Sequence, residues 1–160
     1  MATDLPRRRP IAAKPKSRRK ADGGILRRVN ATVEPRVRSG FASPGPLPAG
    51  LIVLETVGRR SGKTYRNPLL ATVGLGGYLW ITTVLGSRAN WLRNAQANPD
   101  IRYWMKGRPH EGRALVSAPG LPAPNLKELP HLTRWAALRS MKLSRALGFG
   151  MLIIVPNPSD

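Results

Sequence analysis

The 160-residue sequence contains no cysteine and only two histidines, His110 and His131. Disulfide bonds, thiolate chemistry and Cys-ligated metals are therefore excluded, and so is a His-rich metal site. No apolar run approaches the ~18 residues that a membrane-spanning helix needs. The basic N-terminus is not followed by the apolar segment of a secretory signal. We therefore expect no metal site and a soluble, cytoplasmic protein.

Carboxylates are also scarce, with eight Asp and Glu against 27 Lys and Arg and a net charge of +19. Glu55 lies inside an apolar segment, where we expect a paired structural carboxylate. Catalysis by two carboxylates is therefore poorly supported, and the sequence has no Gly-x-Ser-x-Gly hydrolase motif. The contexts of the two histidines favour surface or capping roles. The catalytic residue, if the chain has one, is unknown from the sequence.

The positive charge is concentrated at the N-terminus, where residues 1–20 hold eight basic residues and one acid. Because this stretch has little to bury, we predict a disordered basic tail, residues 1–22, before one domain, residues 23–160. The tail is a dispensable extension, a contact with an anionic membrane surface, which would make the protein membrane-peripheral, or a contact with nucleic acid. Specific nucleic-acid binding is not expected, because the few aromatic residues are not interleaved with the basic runs.

Apolar periodicity predicts a helix, a run of strands with a small helix inserted, a second large helix and a last strand. Pro35 should kink or interrupt the first helix, Pro68 indicates a bulge or an edge position, and Asn90 is a good N-cap. This order suits a mainly β, α+β fold, a small closed or split β-barrel with helices outside. The predicted helices are Gly24–Arg38, Trp91–Ala97 and His131–Leu147, and the predicted strands are Leu51–Val57, Thr64–Leu75, Tyr78–Val84, Ile101–Lys106, His110–Ser117 and Met151–Val155.

Residues 58–63, Gly-Arg-Arg-Ser-Gly-Lys, join the first two strands, and we call them the cationic turn. Glycines allow backbone N–H groups to converge, and arginine matches phosphate or carboxylate. The turn is therefore either an anion site or a charged hairpin tip. It is not a P-loop, because three residues rather than four separate Gly58 from Gly62-Lys63. In addition, a predicted strand rather than a helix follows the turn.

Two linked motifs carry a family resemblance. Thr56–Leu69, TVGRRSGKTYRNPL, is followed by WLRNAQANP at residues 91–99. Together they resemble the deazaflavin-dependent nitroreductase / quinone reductase family, whose members bind coenzyme F-420. The resemblance implies a split β-barrel of the FMN-binding type. It also implies hydride transfer from C5 of the reduced coenzyme to a small organic acceptor such as a quinone, nitroaromatic or enone.

The resemblance also implies a set of cofactor-binding residues. Those facing the phosphate and polyglutamate tail, or lining the same groove, would be Arg59, Arg60, Ser61, Lys63, Arg66, Asn67 and Pro68. Those near the deazaflavin ring would be Thr82, Thr83, Gly86 and Trp91, although Trp91 could equally pack in the core.

Two departures from the family pattern leave the acceptor open. The loop 84–88 is short, and residues 125–150 contain no tyrosine. An FMN-binding relative and a non-enzymatic basic protein that binds the cofactor or another anion are the alternatives.

Overall fold

The computed structural model describes residues 30–45 and 47–158, so the predicted tail and the start of the first predicted helix lie outside the described residues. The described part contains a helix at residues 30–38 (α1), two further α-helices and six strands. The remaining elements are β1 Ala49–Val57, β2 Thr64–Val73, β3 Leu79–Thr83, α2 Asn90–Ala97, β4 Asp100–Met105, β5 Arg108–Ser117, α3 His131–Ala146 and β6 Gly150–Pro156.

The six strands form a closed antiparallel barrel in the order β1-β2-β3-β6-β5-β4. Side chains alternate along each strand, so that Ile52 and Leu54 of β1 point into the barrel together with Leu152 and Ile154 of β6. Leu92 of α2 belongs to the same core and closes one end of the barrel. The predicted fold class, a mainly β barrel with flanking helices, is confirmed.

A second apolar cluster lies outside the barrel, between β6 and α3. Met151 and Ile153 point away from the barrel interior and pack against Ala137 and Met141 of α3. Both faces of β6 are therefore covered, which explains why its sequence is a continuous apolar run rather than an alternating one.

The barrel is split along two seams. β1 pairs with β2 over its whole length, whereas β1 and β4 share only three residue pairs and β2 and β3 only two. Pro68 lies opposite Val53 of β1 and has no partner on β3, so its missing N–H breaks no ladder on that side. The predicted edge position is therefore correct, and the pairing of β1 with β2 continues past Pro68 without a bulge.

Two local predictions differ from the structure. Residues 30–38 stay helical through Pro35, so the helix is not interrupted there, and the carbonyl of Pro35 accepts a hydrogen bond from the N–H of Ser39 at 3.0 Å. Asn90 is the first residue of α2 rather than its cap; Ala89 precedes the helix without a side-chain cap. Among the described residues no helix is long and apolar enough to cross a membrane.

Candidate functional site

The cationic turn is held closed by its own backbone. The N–H of Gly58 donates to the carbonyl of Lys63 at 2.8 Å, and the N–H of Gly62 donates to the carbonyl of Gly58 at 2.8 Å. Gly62 has a φ of 65°, which favours glycine. A Cβ on Gly58 would lie 2.6 Å from Ser61 Oγ. The glycines therefore permit a compact turn, from which the exposed side chains of Arg60 and Lys63 extend.

Arg59 fastens the cationic turn to α2. Its backbone N–H and its Nη1 donate to Asn94 Oδ1, at 3.3 and 3.0 Å, and its Nη2 donates to Asn90 Oδ1 at 3.5 Å. Asn94 is only 6% exposed, and Asn98 Nδ2 donates to the carbonyl of Val57 at 3.3 Å. The two motifs that are separate in the sequence therefore meet at one end of the barrel.

Positive charge accumulates where α2 meets the cationic turn. Partial desolvation lowers the pKa of the Arg59 guanidinium, and the nearby charges of Arg93 and Arg60 lower it further. Across residues 30–45 and 47–158, no carboxylate lies within 4 Å of Arg60, Lys63 or Arg93. The cluster is thus an uncompensated cationic site that a polyanion would neutralise.

Arg93 is the member of this cluster that sequence reasoning missed. It lies inside the second motif, between Trp91 and Asn94. The sequence did contain a signal for it, because Arg93 is the single cation of α2 and α2 belongs to the motif that is linked to the cationic turn. The sequence could not show which side of α2 faces the turn, because that depends on the packing of the helix against the barrel.

Arg66 is placed differently from the turn cations. Its Nε donates to Glu55 Oε2 at 2.8 Å, and its guanidinium lies 5.2 Å from the ring centroid of Trp104. The prediction of a paired structural Glu55 is confirmed. Because a carboxylate already compensates Arg66, this residue offers less charge to an anion than the cationic turn does.

A cleft follows the seam between β2 and β3. The two strands pair only at Thr72 with Trp80 and at Val73 with Leu79. Toward the cationic turn, residues 64–71 of β2 and 81–83 of β3 face each other without ladder pairs. Asn67 and Pro68, both half-buried, lie on this stretch of β2.

A pocket of about 480 Å³ lies at the far end of the cleft. Trp80 is half-buried in its wall, and the indole Nε1 is buried without a hydrogen-bond partner among the described residues. Such an orphaned donor is costly unless a ligand or water accepts from it. The lining residues come from β2, β3, α3, β6 and the turn after β2, and are Leu70, Thr72, Gly74, Leu75, Trp80, Thr82, Ala136 and Met151.

Three of the predicted ring contacts have structural partners. Thr83 Oγ1 accepts a hydrogen bond from the N–H of Leu85 at 3.2 Å. A Cβ on Gly86 would lie 2.5 Å from the carbonyl oxygen of Gly148, so this glycine allows two loops to pack closely. Trp91 is half-buried and packs against the barrel core. Of the four predicted ring contacts, Thr82 alone lines the pocket.

These features define a split-barrel protein whose cleft offers cations at one end and an apolar pocket at the other. Residues 27–151 match the family model described as F420H(2)-dependent quinone reductase. The match spans most of the chain, and the chain belongs to this family. It is an oxidoreductase that depends on coenzyme F420, as the motif resemblance implied. Membership in this family does not favour FMN binding or a non-enzymatic role.

Solved structures were also compared with the chain. One, described as an F420-H2 dependent reductase (FDR-A), has 18% sequence identity to this chain and a TM-score of 0.41. The match covers 68% of this chain and 94% of that chain. Another, described as an F420 reductase, has 17% sequence identity to this chain and a TM-score of 0.40. The match covers 71% of this chain and 95% of that chain. No curated protein sequence matches the chain.

Proposed function

We propose that the cationic turn and α2 hold the anionic tail of reduced F420, and that the pocket at the far end of the cleft holds its ring beside a small organic acceptor such as a quinone. The observation that carries this proposal is the cluster of Arg59, Arg60, Lys63 and Arg93. Within the described part of the chain this cluster has no carboxylate partner, and it lies at the open end of the seam.

The residues present fit such a ligand. A tail of phosphate and carboxylate groups requires several cations, and the cluster supplies them without a competing acid. A flat ring with polar edges requires apolar walls and a few donors. The pocket offers Leu70, Met151 and the indole of Trp80 as walls, and the hydroxyls of Thr72 and Thr82.

When bound, the reduced cofactor supplies a hydride, and a quinone that accepts one hydride and one proton becomes a hydroquinone. The residues that line the pocket include no Asp, Glu, His or Lys. No lining side chain is therefore assigned to proton transfer, and the chain contributes binding and orientation. We accordingly assign no catalytic side chain.

The other predicted site residues have secondary roles in this proposal. Ser61 Oγ, which accepts from the N–H of Lys63 at 3.3 Å, shapes the turn that presents the cations. Asn67 and Pro68 line the cleft, while Arg66, which pairs with Glu55 and lies over Trp104, covers the other seam. Thr83, Gly86 and Trp91 shape the ring end through the contacts they make with neighbouring loops and the core.

The direct test is titration of the full chain with purified F420, followed by absorbance or fluorescence. We expect saturable binding that weakens in Arg60→Gln and Lys63→Gln. Loss of a charge-assisted contact costs roughly 1.5–3 kcal/mol, or roughly 10- to 150-fold in affinity. Absence of binding below millimolar cofactor would refute the proposal as a whole.

Arg108→Gln is a matched control, because this exposed arginine begins β5 at its turn with β4 and pairs with no carboxylate in the described chain. It should bind F420 like the unchanged protein. If Arg60→Gln and Lys63→Gln resemble this control, the ligand binds but its tail lies elsewhere, and only the tail assignment fails.

We further propose that the protein works in the cytoplasm and that residues 23–160 form the cofactor domain.

The eight basic residues among positions 1–20 give the N-terminal segment affinity for an anionic membrane surface. Replacing these eight residues with Gln tests this point. Vesicle binding that does not change on replacement would leave the segment without this role.

A further inference from the structure

The solvent-facing side of α3 exposes an unusual amount of apolar surface. Thr133, Ala137, Met141 and Ser144 are buried and mark the side of the helix that packs on the barrel. Soluble proteins rarely leave large contiguous apolar patches uncovered. We call the opposite side the α3 face; its exposed apolar residues, including the one that follows the helix, are Leu132 (63%), Trp135 (53%), Leu138 (56%), Leu143 (63%) and Leu147 (58%).

The α3 face is also cationic. It carries the exposed cations Arg139 and Lys142, and the helix contains no Asp or Glu. The guanidinium of Arg139 lies 4.8 Å from the ring centroid of Trp135, so cationic and apolar groups share one surface. A partner that covers this face must therefore be apolar and anionic at once.

We propose that the α3 face binds the surface of an anionic lipid bilayer. Leucine and tryptophan side chains enter the boundary between headgroups and acyl chains, while Arg139 and Lys142 reach anionic headgroups through their flexible stems. A second copy of the same face fits less well, because an isologous contact would bring the cations of two α3 helices together. Nucleic acid would satisfy the cations but not the leucines.

This placement has a consequence for the acceptor, which rests on the proposed function. Ala136, the neighbour of Trp135, lines the pocket between α3 and the β2–β3 seam, and Leu70 and Leu75 of the same lining are more than half exposed. The pocket therefore opens beside the surface that contacts lipid. A lipid-soluble acceptor could enter it from the bilayer without crossing water.

The test is co-sedimentation of the full chain with vesicles of phosphatidylcholine alone and of phosphatidylcholine mixed with phosphatidylglycerol, at physiological salt. We expect binding to the anionic vesicles that is roughly 30-fold weaker in Arg139→Gln/Lys142→Gln. The double variant Lys106→Gln/Arg108→Gln removes the same charge from the β4–β5 turn and should bind like the unchanged protein. Leu132→Gln/Leu138→Gln should also weaken binding while leaving every charge in place.

Two further arms separate α3 from the N-terminal segment and from self-association. The loss caused by the α3 variants must persist when the eight basic residues among positions 1–20 are Gln. Brominated lipids should quench the fluorescence of the full chain, and Trp135→Phe should remove most of that quenching.

If the α3 variants bind anionic vesicles as tightly as the Lys106→Gln/Arg108→Gln control does, the inference is overturned. So does a solution dimer that Leu132→Gln/Leu138→Gln dissociates while lipid binding stays constant. The substituted α3 residues are exposed, and thermal melting checks that each variant folds. No F420 is present in these measurements, so their failure is distinct from failure of the proposed function.

Discussion

Asn94 is where the structural and ligand-binding roles of the cationic turn can be separated. Its Oδ1 accepts two hydrogen bonds from Arg59, and the side chain is nearly buried. Asn94→Asp keeps both acceptor contacts and the shape of the residue, but it adds a negative charge within the cation cluster. Anion binding should therefore weaken while stability changes little.

The expected magnitudes follow from the contacts. The new carboxylate pairs with the Arg59 guanidinium, and this attraction offsets the cost of placing a charge at a nearly buried position, so the free energy of unfolding should change by less than about 1 kcal/mol. A unit charge about 8 Å from an anionic ligand group interacts with it by about 2 kcal/mol at an effective dielectric constant of about 20. With partial screening by salt, F420 should bind roughly 5- to 30-fold more weakly.

Asn94→Ala should have the opposite balance. It leaves the Arg59 donors without their acceptor, at a cost of roughly 1.5–3 kcal/mol in stability, and adds no charge. Asn125→Asp is the control for charge alone, because Asn125 Oδ1 accepts from the N–H of Lys127 in an exposed loop. The assays are thermal melting and F420 titration. A stable Asn94→Asp variant with unchanged F420 affinity would refute the assignment of the cluster as the anion site.

Four other substitutions or conditions test neighbouring features. Gly86→Ala should lower the free energy of unfolding by about 1–3 kcal/mol in thermal melts, because a Cβ would meet the Gly148 carbonyl and φ is 53°; an unchanged melting temperature would contradict this. Trp80→Phe should melt no lower than the unchanged protein in thermal melts, since it removes a buried unpartnered donor. Glu55→Gln should change stability by less than about 1 kcal/mol, because its partner Arg66 is exposed. F420 affinity should fall as salt is raised in titrations, and salt-independent affinity would argue against a charged site.

The strands could be predicted because their apolar runs and glycine-containing turns are local signals. The predicted and observed bounds of all six strands differ by no more than two residues. The two seams were not predictable in the same way. Strand divergence depends on how six strands close into one barrel, and no single segment encodes it. Pro68 was the one local sign that part of β2 would lack a partner.

The site residues could likewise be predicted only where their signal is local in the sequence. The charge of the turn is legible in the sequence, and its glycines indicate a compact backbone. The contribution of Arg93, the attachment of Arg59 to Asn94 and the pairing of Arg66 with Glu55 all depend on contacts between elements that are distant in sequence. Residue type and spacing alone could not distinguish the compensated cation Arg66 from the uncompensated cations of the cationic turn.

The two seams of the barrel are not equivalent, and the difference explains why the cleft lies where it does. At the β1–β4 seam, Arg66 reaches from β2 to Glu55 on β1 and to Trp104 on β4. Arg38 of α1 lies over the same ring, at 5.9 Å from its centroid. Side chains thus cover the outer surface of that seam. At the β2–β3 seam the outer surface instead carries the exposed Leu70 and the pocket. Of the two seams of the described barrel, β2–β3 is therefore the one whose outer surface these side chains leave uncovered, which supports the proposed position of the cofactor.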